Sequence, residues 1–322
     1  MSVKKIIVTG ALGQDAFYLF SRYLNLAGPI EIYGFVRNIS DSRLDRFKSE
    51  FPLVDFIQVD IGNADEVYKA IMEIKPDKIY NLAGISSIQD SWRNPALTHN
   101  VNYDGFENIL KSLLNMRDAT GKQTSIYQAS SSEVFGNALE SPQTEDTSFR
   151  PINPYGESKA KAHELAIEYQ MKYGLNIAIG ILYNHESPMR TSKFVSKKIA
   201  QFVSAFDPNQ GNTLELGNIE ARRDWGYAGD YVVAMNRMLD LEKFGTYVIA
   251  TGVQHSVRDF LNAAFLHIGV EDWSKYVAFN EEFNRKTDHN NLVGDSSKAF
   301  SELGWKAETP FSKLVQIMVD GN

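Results

Sequence analysis

Four residues, Ser131, Glu133, Tyr155 and Lys159, carry the groups that acid–base work on a hydroxylated carbon needs. Tyr155 and Lys159 stand i, i+4 in Asn153-Pro-Tyr-Gly-Glu-Ser-Lys159, which reads as the first turns of a helix with proline at its first position. That spacing turns both side chains the same way. A nearby ammonium favours the phenolate, so the pair predicts a tyrosine pKa drawn down from about 10 and a phenol usable as a base. Ser131 and Glu133 lie in Gln128-Ala-Ser-Ser-Ser-Glu-Val-Phe-Gly136, which reads as a buried strand ending in a polar turn. Base, cation, hydroxyl and carboxylate together make the set that an internal-redox dehydration requires, although Glu133 could also be a solvated turn residue.

The elements that hold these residues follow from hydrophobic patterning. Short apolar runs at Lys5–Thr9, Ile30–Val36, Phe56–Val59, Lys78–Leu82, Ser125–Ala129 and Asn176–Leu182 alternate with amphipathic helical patterns, among them Pro95–Leu114 and Pro154–Tyr173. The pattern predicts an α/β fold: a doubly wound parallel sheet of Rossmann type with a smaller, interleaved C-terminal lobe. Residues 1–183, with about 225–253, are assigned to the dinucleotide domain; 184–224 and 254–322 are assigned to the substrate lobe.

Gly10-Ala-Leu-Gly13-Gln14-Asp15-Ala16 follows the first strand and opens a helix, the context in which backbone N–H groups hold a pyrophosphate. A tight turn without a ligand is the plain alternative. Arg37, ending the second strand where an NAD site usually carries an acid, favours NADP, unless it is a solvated loop cation. Asp60 ends the third strand and reads either as an adenine contact or as a helix N-cap.

The 322 residues are 43% hydrophobic, enough to bury a large core, and contain no cysteine. Disulfides, thiolate metal sites and cysteine nucleophiles are thereby excluded, and the six scattered histidines lack zinc-hydrolase spacing, so no metal is expected. A net charge of −7 argues against a nucleic-acid partner. With no apolar stretch of about 18 residues and no leader pattern, no membrane association and a cytoplasmic location are expected.

Taken with Asn81-Leu-Ala83, these residues resemble the extended short-chain dehydrogenases/reductases that modify nucleotide sugars. Tyr183-Asn-His-Glu-Ser-Pro188, Leu216-Gly-Asn-Ile-Glu-Ala-Arg-Arg-Asp-Trp-Gly226, His255-Ser-Val-Arg258 and Gly294-Asp-Ser-Ser-Lys-Ala299 are similar to blocks of the GDP-mannose 4,6-dehydratase family. The resemblance spans nearly the whole chain and implies bound NADP, a GDP-sugar substrate and a homodimer or homotetramer. It places the cofactor on Gly10, Gly13, Gln14, Asp15, Arg37, Asp60, Ile61, Leu82, Ala83, Ser86, His185 and Arg190. It places the sugar nucleotide on Ser86, Glu133, Asn184, Val195, Lys198, Leu216, Arg223 and Arg285. The resemblance makes Tyr155, Lys159, Ser131 and Glu133 catalytic. By residue type alone His185 reads equally as a core histidine, Arg222 as a structural cation and Trp225 as core.

The chain departs from the family at Ala83-Gly-Ile-Ser-Ser-Ile88, where a glutamine and a histidine have become Ile85 and Ser87, and at Leu97 and Met189. The stretch after Arg37 lacks the Arg-Ser-Ser run, and Arg285-Lys-Thr-Asp-His-Asn290 is altered. These changes leave open a dehydratase of a GDP-heptose or GDP-N-acetyl sugar. A GDP-sugar 4-reductase, 4-oxidase or epimerase with Glu133 idle, and a redox-sensing NADP-binding regulator, are the other readings.

Overall fold

Runs such as Ile6-Ile-Val8 and Ile177-Ala-Ile-Gly-Ile181 are apolar on both faces, which suits strands covered by helices front and back. The computed structural model describes residues 3–26, 28–280 and 292–322. The chain begins β1 (Lys4–Thr9), α1 (Gln14–Leu24), β2 (Ile30–Val36), α2 (Leu44–Glu50), β3 (Val54–Gln58), α3 (Ala64–Ile74) and β4 (Lys78–Asn81). It continues with α4 (Ile88–Arg93), α5 (Pro95–His99), a π-helical turn (Asn100–Asp104), α6 (Gly105–Thr120), β5 (Ser125–Ser131), α7 (Pro154–Tyr173) and β6 (Asn176–Leu182). Next come β7 (Asn184–Glu186), α8 (Val195–Ser204), β8 (Leu214–Leu216), β9 (Arg222–Tyr227), α9 (Ala228–Met238) and β10 (Thr246–Ile249). The last elements are β11 (Gln254–Ser256), α10 (Val257–His267), β12 (Val277–Phe279), α11 (Ser297–Leu303) and α12 (Phe311–Asp320).

Seven strands form a parallel sheet in the order β10-β6-β5-β4-β1-β2-β3. The order reverses at β1, which pairs with β2 on one edge and β4 on the other. Such a switch point opens a crevice beyond the carboxyl ends of the strands. Period-two alternation sends Ile6 and Val8 into one core, with Leu19, Phe20, Met235 and Trp305, and sends Ile7 into the other, with Val67, Phe106 and Ile126. A further core gathers Leu214, Trp225, Phe260, Phe265 and Leu314 beside a three-stranded sheet, β11-β9-β7, and a two-stranded one, β12-β8. Trp225 is therefore a core residue, stacked on Phe311.

The helix expected over Pro95–Leu114 is interrupted by the π turn. Asn102 explains the interruption: its side chain accepts from Ile85 N (2.9 Å) and donates to Ile85 O (3.2 Å) and Ser158 Oγ (2.9 Å). Three hydrogen bonds to two residues outside its own helix fix a buried amide that ordinary α geometry would rotate away. The fifth strand also runs further than its apolar stretch, to Ser131, because β6 continues to pair with it as far as Leu182.

Candidate active site

Strand β1 stops at Gly10, whose φ of +64° lies in the left-handed region. A Cβ there would stand 2.9 Å from both N and Cα of Ala83, so only glycine lets the turn approach the end of β4 this closely. Thr9 ties the same two strands: its Oγ1 donates to Asn81 Oδ1 (2.7 Å) and accepts from the N–H groups of Leu82 (3.1 Å) and Ala83 (3.0 Å). Helix α1 then starts at Gln14 with no side-chain cap, leaving backbone donors facing the crevice.

That crevice is a cavity of about 580 Å³. Its walls include every residue expected to hold the cofactor: Gly10, Gly13, Gln14, Asp15, Arg37, Asp60, Ile61, Leu82, Ala83, Ser86, His185 and Arg190. Ser131, Glu133, Tyr155 and Lys159 line it as well. A strip of about 80 Å³, bounded by Asn184, Phe194, Val195, Arg223 and Trp225, shares Asn184 and Phe194 with the main cavity. Leu216 buries its side chain in the neighbouring core, and its carbonyl accepts Asn280 N (2.8 Å), so Gly217 faces the strip in its place. Lys198 reaches the Glu215 carbonyl (2.6 Å) and borders neither space. Arg222 spans β9 and β11, donating to Gln254 O (3.1 Å). Arg285 lies outside the described residues.

Asp15 and His185 come together across 170 residues, with Nε2 3.1 Å from each carboxylate oxygen. The other ring nitrogen faces Tyr183 O at 2.8 Å, and the ring stacks on Tyr231. Two acceptors on two nitrogens suit an imidazolium. Burial alone would lower the His185 pKa, but the Asp15 charge outweighs it and the pKa lies above the ordinary value. Asp15 is likewise pushed up by burial yet held below its usual range, chiefly by His185. Gln14 completes the link, donating to His185 O (2.9 Å) and accepting from Ser187 Oγ (2.7 Å). Arg190 Nε lies 3.1 Å from Glu186 Oε2, and its guanidinium covers the Phe194 ring.

The expected electrostatics of the tyrosine need correction. Burial pushes Tyr155 up to about 12; the Ser131 hydrogen bond works against this and the Glu133 charge adds to it. Lys159 directs its ammonium to Ala129 O (2.8 Å), and burial lowers its own pKa to about 8. Helical spacing aligned the two side chains, but the ammonium donates its hydrogen bond to the strand carbonyl, and its charge does not offset the tyrosine's desolvation.

Glu133 sits in a short 3₁₀ turn after β5; its N–H meets Ser131 Oγ (3.3 Å), and its Oε2 accepts from Asn153 Nδ2 (2.9 Å). Asp60 Oδ1 accepts Gly62 N (2.9 Å), whereas the cap of α3 is Asn63. Arg43 is a wall residue that motif reading passed over: it grips Asp41 through Nε (2.9 Å) and Nη2 (2.7 Å) and donates to Leu12 O (3.2 Å). Its hydrogen bond holds Asp41 down to about 2. An arginine six residues beyond Arg37 was the available signal, but the loop between them has no regular period.

The space and donors fit a phosphorylated dinucleotide: a glycine cradle that a Cβ would fill, an uncapped helix start, and Arg37 and Arg43 at one end. Solved structures share this architecture. A Streptomyces venezuelae dTDP-glucose 4,6-dehydratase with NAD and TYD bound superposes with a TM-score of 0.84 at 21% identity, covering 98% of this chain and 96% of that one. RMD from Pseudomonas aeruginosa, complexed with NADPH, gives 0.80 at 21% identity over 99% and 98%. These likenesses establish the fold.

Sequence likeness goes further. GDP-mannose 4,6 dehydratase 1 of Arabidopsis thaliana is 38% identical, over 98% of this chain and 89% of its own length. The Homo sapiens GDP-mannose 4,6 dehydratase is 35% identical over 97% and 90%. The family model described as GDP-mannose 4,6 dehydratase matches residues 7–318, and the chain belongs to that family.

Proposed function

We propose that this chain is a GDP-mannose 4,6-dehydratase, converting GDP-mannose to GDP-4-keto-6-deoxymannose and water with bound, regenerated NADP. The observation that carries the reading is Glu133 on the same cavity wall as Tyr155, Ser131 and Lys159. A carboxylate beside a tyrosine base serves proton removal at a second carbon, which oxidation or epimerisation at C4 alone would leave idle.

Once ionised, Tyr155 accepts the proton of the sugar's C4 hydroxyl, and Ser131, whose hydrogen bond draws the tyrosine's pKa back down, aligns that hydroxyl. Lys159, tethered to Ala129 O, supplies a fixed cation on the same helix. When bound, NADP supplies the acceptor for the electron pair and hydrogen lost from C4, and returns both at C6. With C4 a carbonyl, the C5 hydrogen is acidic. Glu133 takes that proton, the C5–H pair becomes the C5–C6 double bond, and the C6–O bond breaks. The leaving hydroxyl departs as water with the proton from Glu133, which is thereby restored; as C6 regains its hydrogen and electron pair, the proton held by Tyr155 returns to C5, and the tyrosine is restored as well. The cofactor contacts fall to Gly10, Gly13, Gln14, Asp15, Arg37, Asp60, Ile61, Leu82, Ala83, Ser86, His185 and Arg190. The GDP-sugar lies toward Ser86, Asn184, Val195 and Arg223, with Arg285 as a further contact, in a lobe made of 184–224 and 254–322.

The assembly is a homodimer or homotetramer in the cytoplasm. Among the described residues no helix is long and apolar enough to cross a membrane.

Purified protein incubated with GDP-mannose and no added reductant tests the reading, with mass spectrometry and NMR following the nucleotide sugar. Loss of one water with a 4-keto, 6-methyl product supports it. Unchanged GDP-mannose alongside conversion of another GDP-sugar reassigns the substrate. Full turnover by Glu133→Gln removes the dehydration mechanism.

A further inference from the structure

Asn153 is 1% exposed and makes two hydrogen bonds that pull in different directions. Its Oδ1 accepts from Gly156 N (2.8 Å), capping the helix that carries Tyr155 and Lys159. Its Nδ2 donates to Glu133 Oε2 (2.9 Å). One amide orientation serves both, since an N–H must meet the oxygen and a carboxylate must meet the amino group. Serine, aspartate and asparagine cap helices about equally well, but of these only asparagine adds a donor on the far side of the cap. The two elements also touch directly: a Cβ on Gly156 would stand 2.5 Å from the Glu133 carbonyl oxygen.

From this geometry we infer that Asn153 is a positioning residue that aims the Glu133 carboxylate at the sugar's C5 and keeps it in register with Tyr155. The cap fixes one end of the amide to the tyrosine's helix, so the donor at the other end holds Glu133 at a set distance from the base that works first. Deleting the donor leaves the C4 step intact and slows the C5 step. The inference rests on the dehydratase reading of Glu133.

Asn153→Ser keeps a capping oxygen and loses the donor; Asn153→Asp keeps cap and shape but sets a second carboxylate against Glu133. For both, the expected result is a melting temperature close to wild type, a KM for GDP-mannose within about threefold, and a kcat lower by about 10- to 100-fold, the span of one hydrogen bond to a charged group. Because C4 oxidation outruns C5 proton removal, the near-ultraviolet absorbance of reduced nicotinamide builds up in a single turnover. A residue that only supported the helix would misplace Tyr155 and slow the first step, giving no build-up. That result overturns the inference, as does an unchanged kcat. Should Asn153→Ser fail to fold, Asn153→Asp carries the same readout. Glu133→Gln is run in parallel: if it turns over normally, the reading of the site fails and the inference with it. If it stalls after the first step while both Asn153 variants match wild type, the inference alone fails.

Discussion

Asp15→Asn tests the charge link between the glycine turn and the segment after β6. Both partners are largely buried, with side-chain exposures of 19% for Asp15 and 12% for His185, so solvent screens the pair little. The amide is isosteric and can still accept from His185 Nε2, which limits the loss to the charge assistance of the bond. Charged hydrogen bonds are worth about 1.5–3 kcal/mol and neutral ones about 0.5–1.5, so the expected cost is about 1–2 kcal/mol near pH 6. At about 2–4 °C per kcal/mol, or slightly less for a chain of this size, the melting temperature falls by roughly 2–6 °C. The pH dependence gives the sharper discrimination. The His185 pKa is raised above 6.5 in the folded chain, so its stabilising contribution is complete below the unfolded value and drains away as pH rises through the folded one. Asp15 is shifted down from 3.8, and its contribution is lost only on acidification. The gap between wild type and Asp15→Asn should therefore be widest below the unfolded histidine value of 6.5 and should narrow as pH rises through the raised His185 value. Thermal denaturation followed by circular dichroism across that range measures it. A gap that does not change with pH would refute an ionic Asp15–His185 link.

Gly10→Ala places a Cβ 2.9 Å from backbone atoms of Ala83 at a φ of +64°, with strain of about 1–2 kcal/mol before the clash is counted. NADP affinity measured by calorimetry should drop at least about tenfold, and unchanged binding would mean the turn does not hold the cofactor. Arg37→Ala should weaken NADP by about 10- to 100-fold, the worth of charged hydrogen bonds to a phosphate, and leave NAD nearly unaffected. An equal loss for both nucleotides would assign Arg37 a general role. Asp224 is buried and accepts from Thr251 N (2.9 Å), Thr251 Oγ1 (2.6 Å) and Gly252 N (2.9 Å), so Asp224→Ala removes the acceptor that all three part-buried donors share. It should cost about 3–5 kcal/mol in urea unfolding, and a loss under about 1 kcal/mol would show that water replaces the carboxylate.

Much of this protein is legible without coordinates because its signals are local. Strand-length apolar runs, the Gly10–Gly13 turn before a helix, and Tyr155 and Lys159 one turn apart depend on neighbours within a few residues. The family blocks extended that reading to Asn184 and Arg223, in a region where hydrophobic periodicity had faded. What spacing could not supply was the environment of each group. Lys159 shares a helix face with Tyr155, yet its ammonium donates to the carbonyl of Ala129, a strand residue 30 positions away, and burial then dominates both pKa values. The Asp15–His185 pair joins positions 170 apart, and the Asn153–Glu133 contact joins two loops that only the β5–α7 packing brings together. Local sequence determined which elements form and which chemical groups they carry. The tertiary structure alone decided which of those groups lose water and which charges face them, since desolvation and long-range pairing belong to no segment by itself.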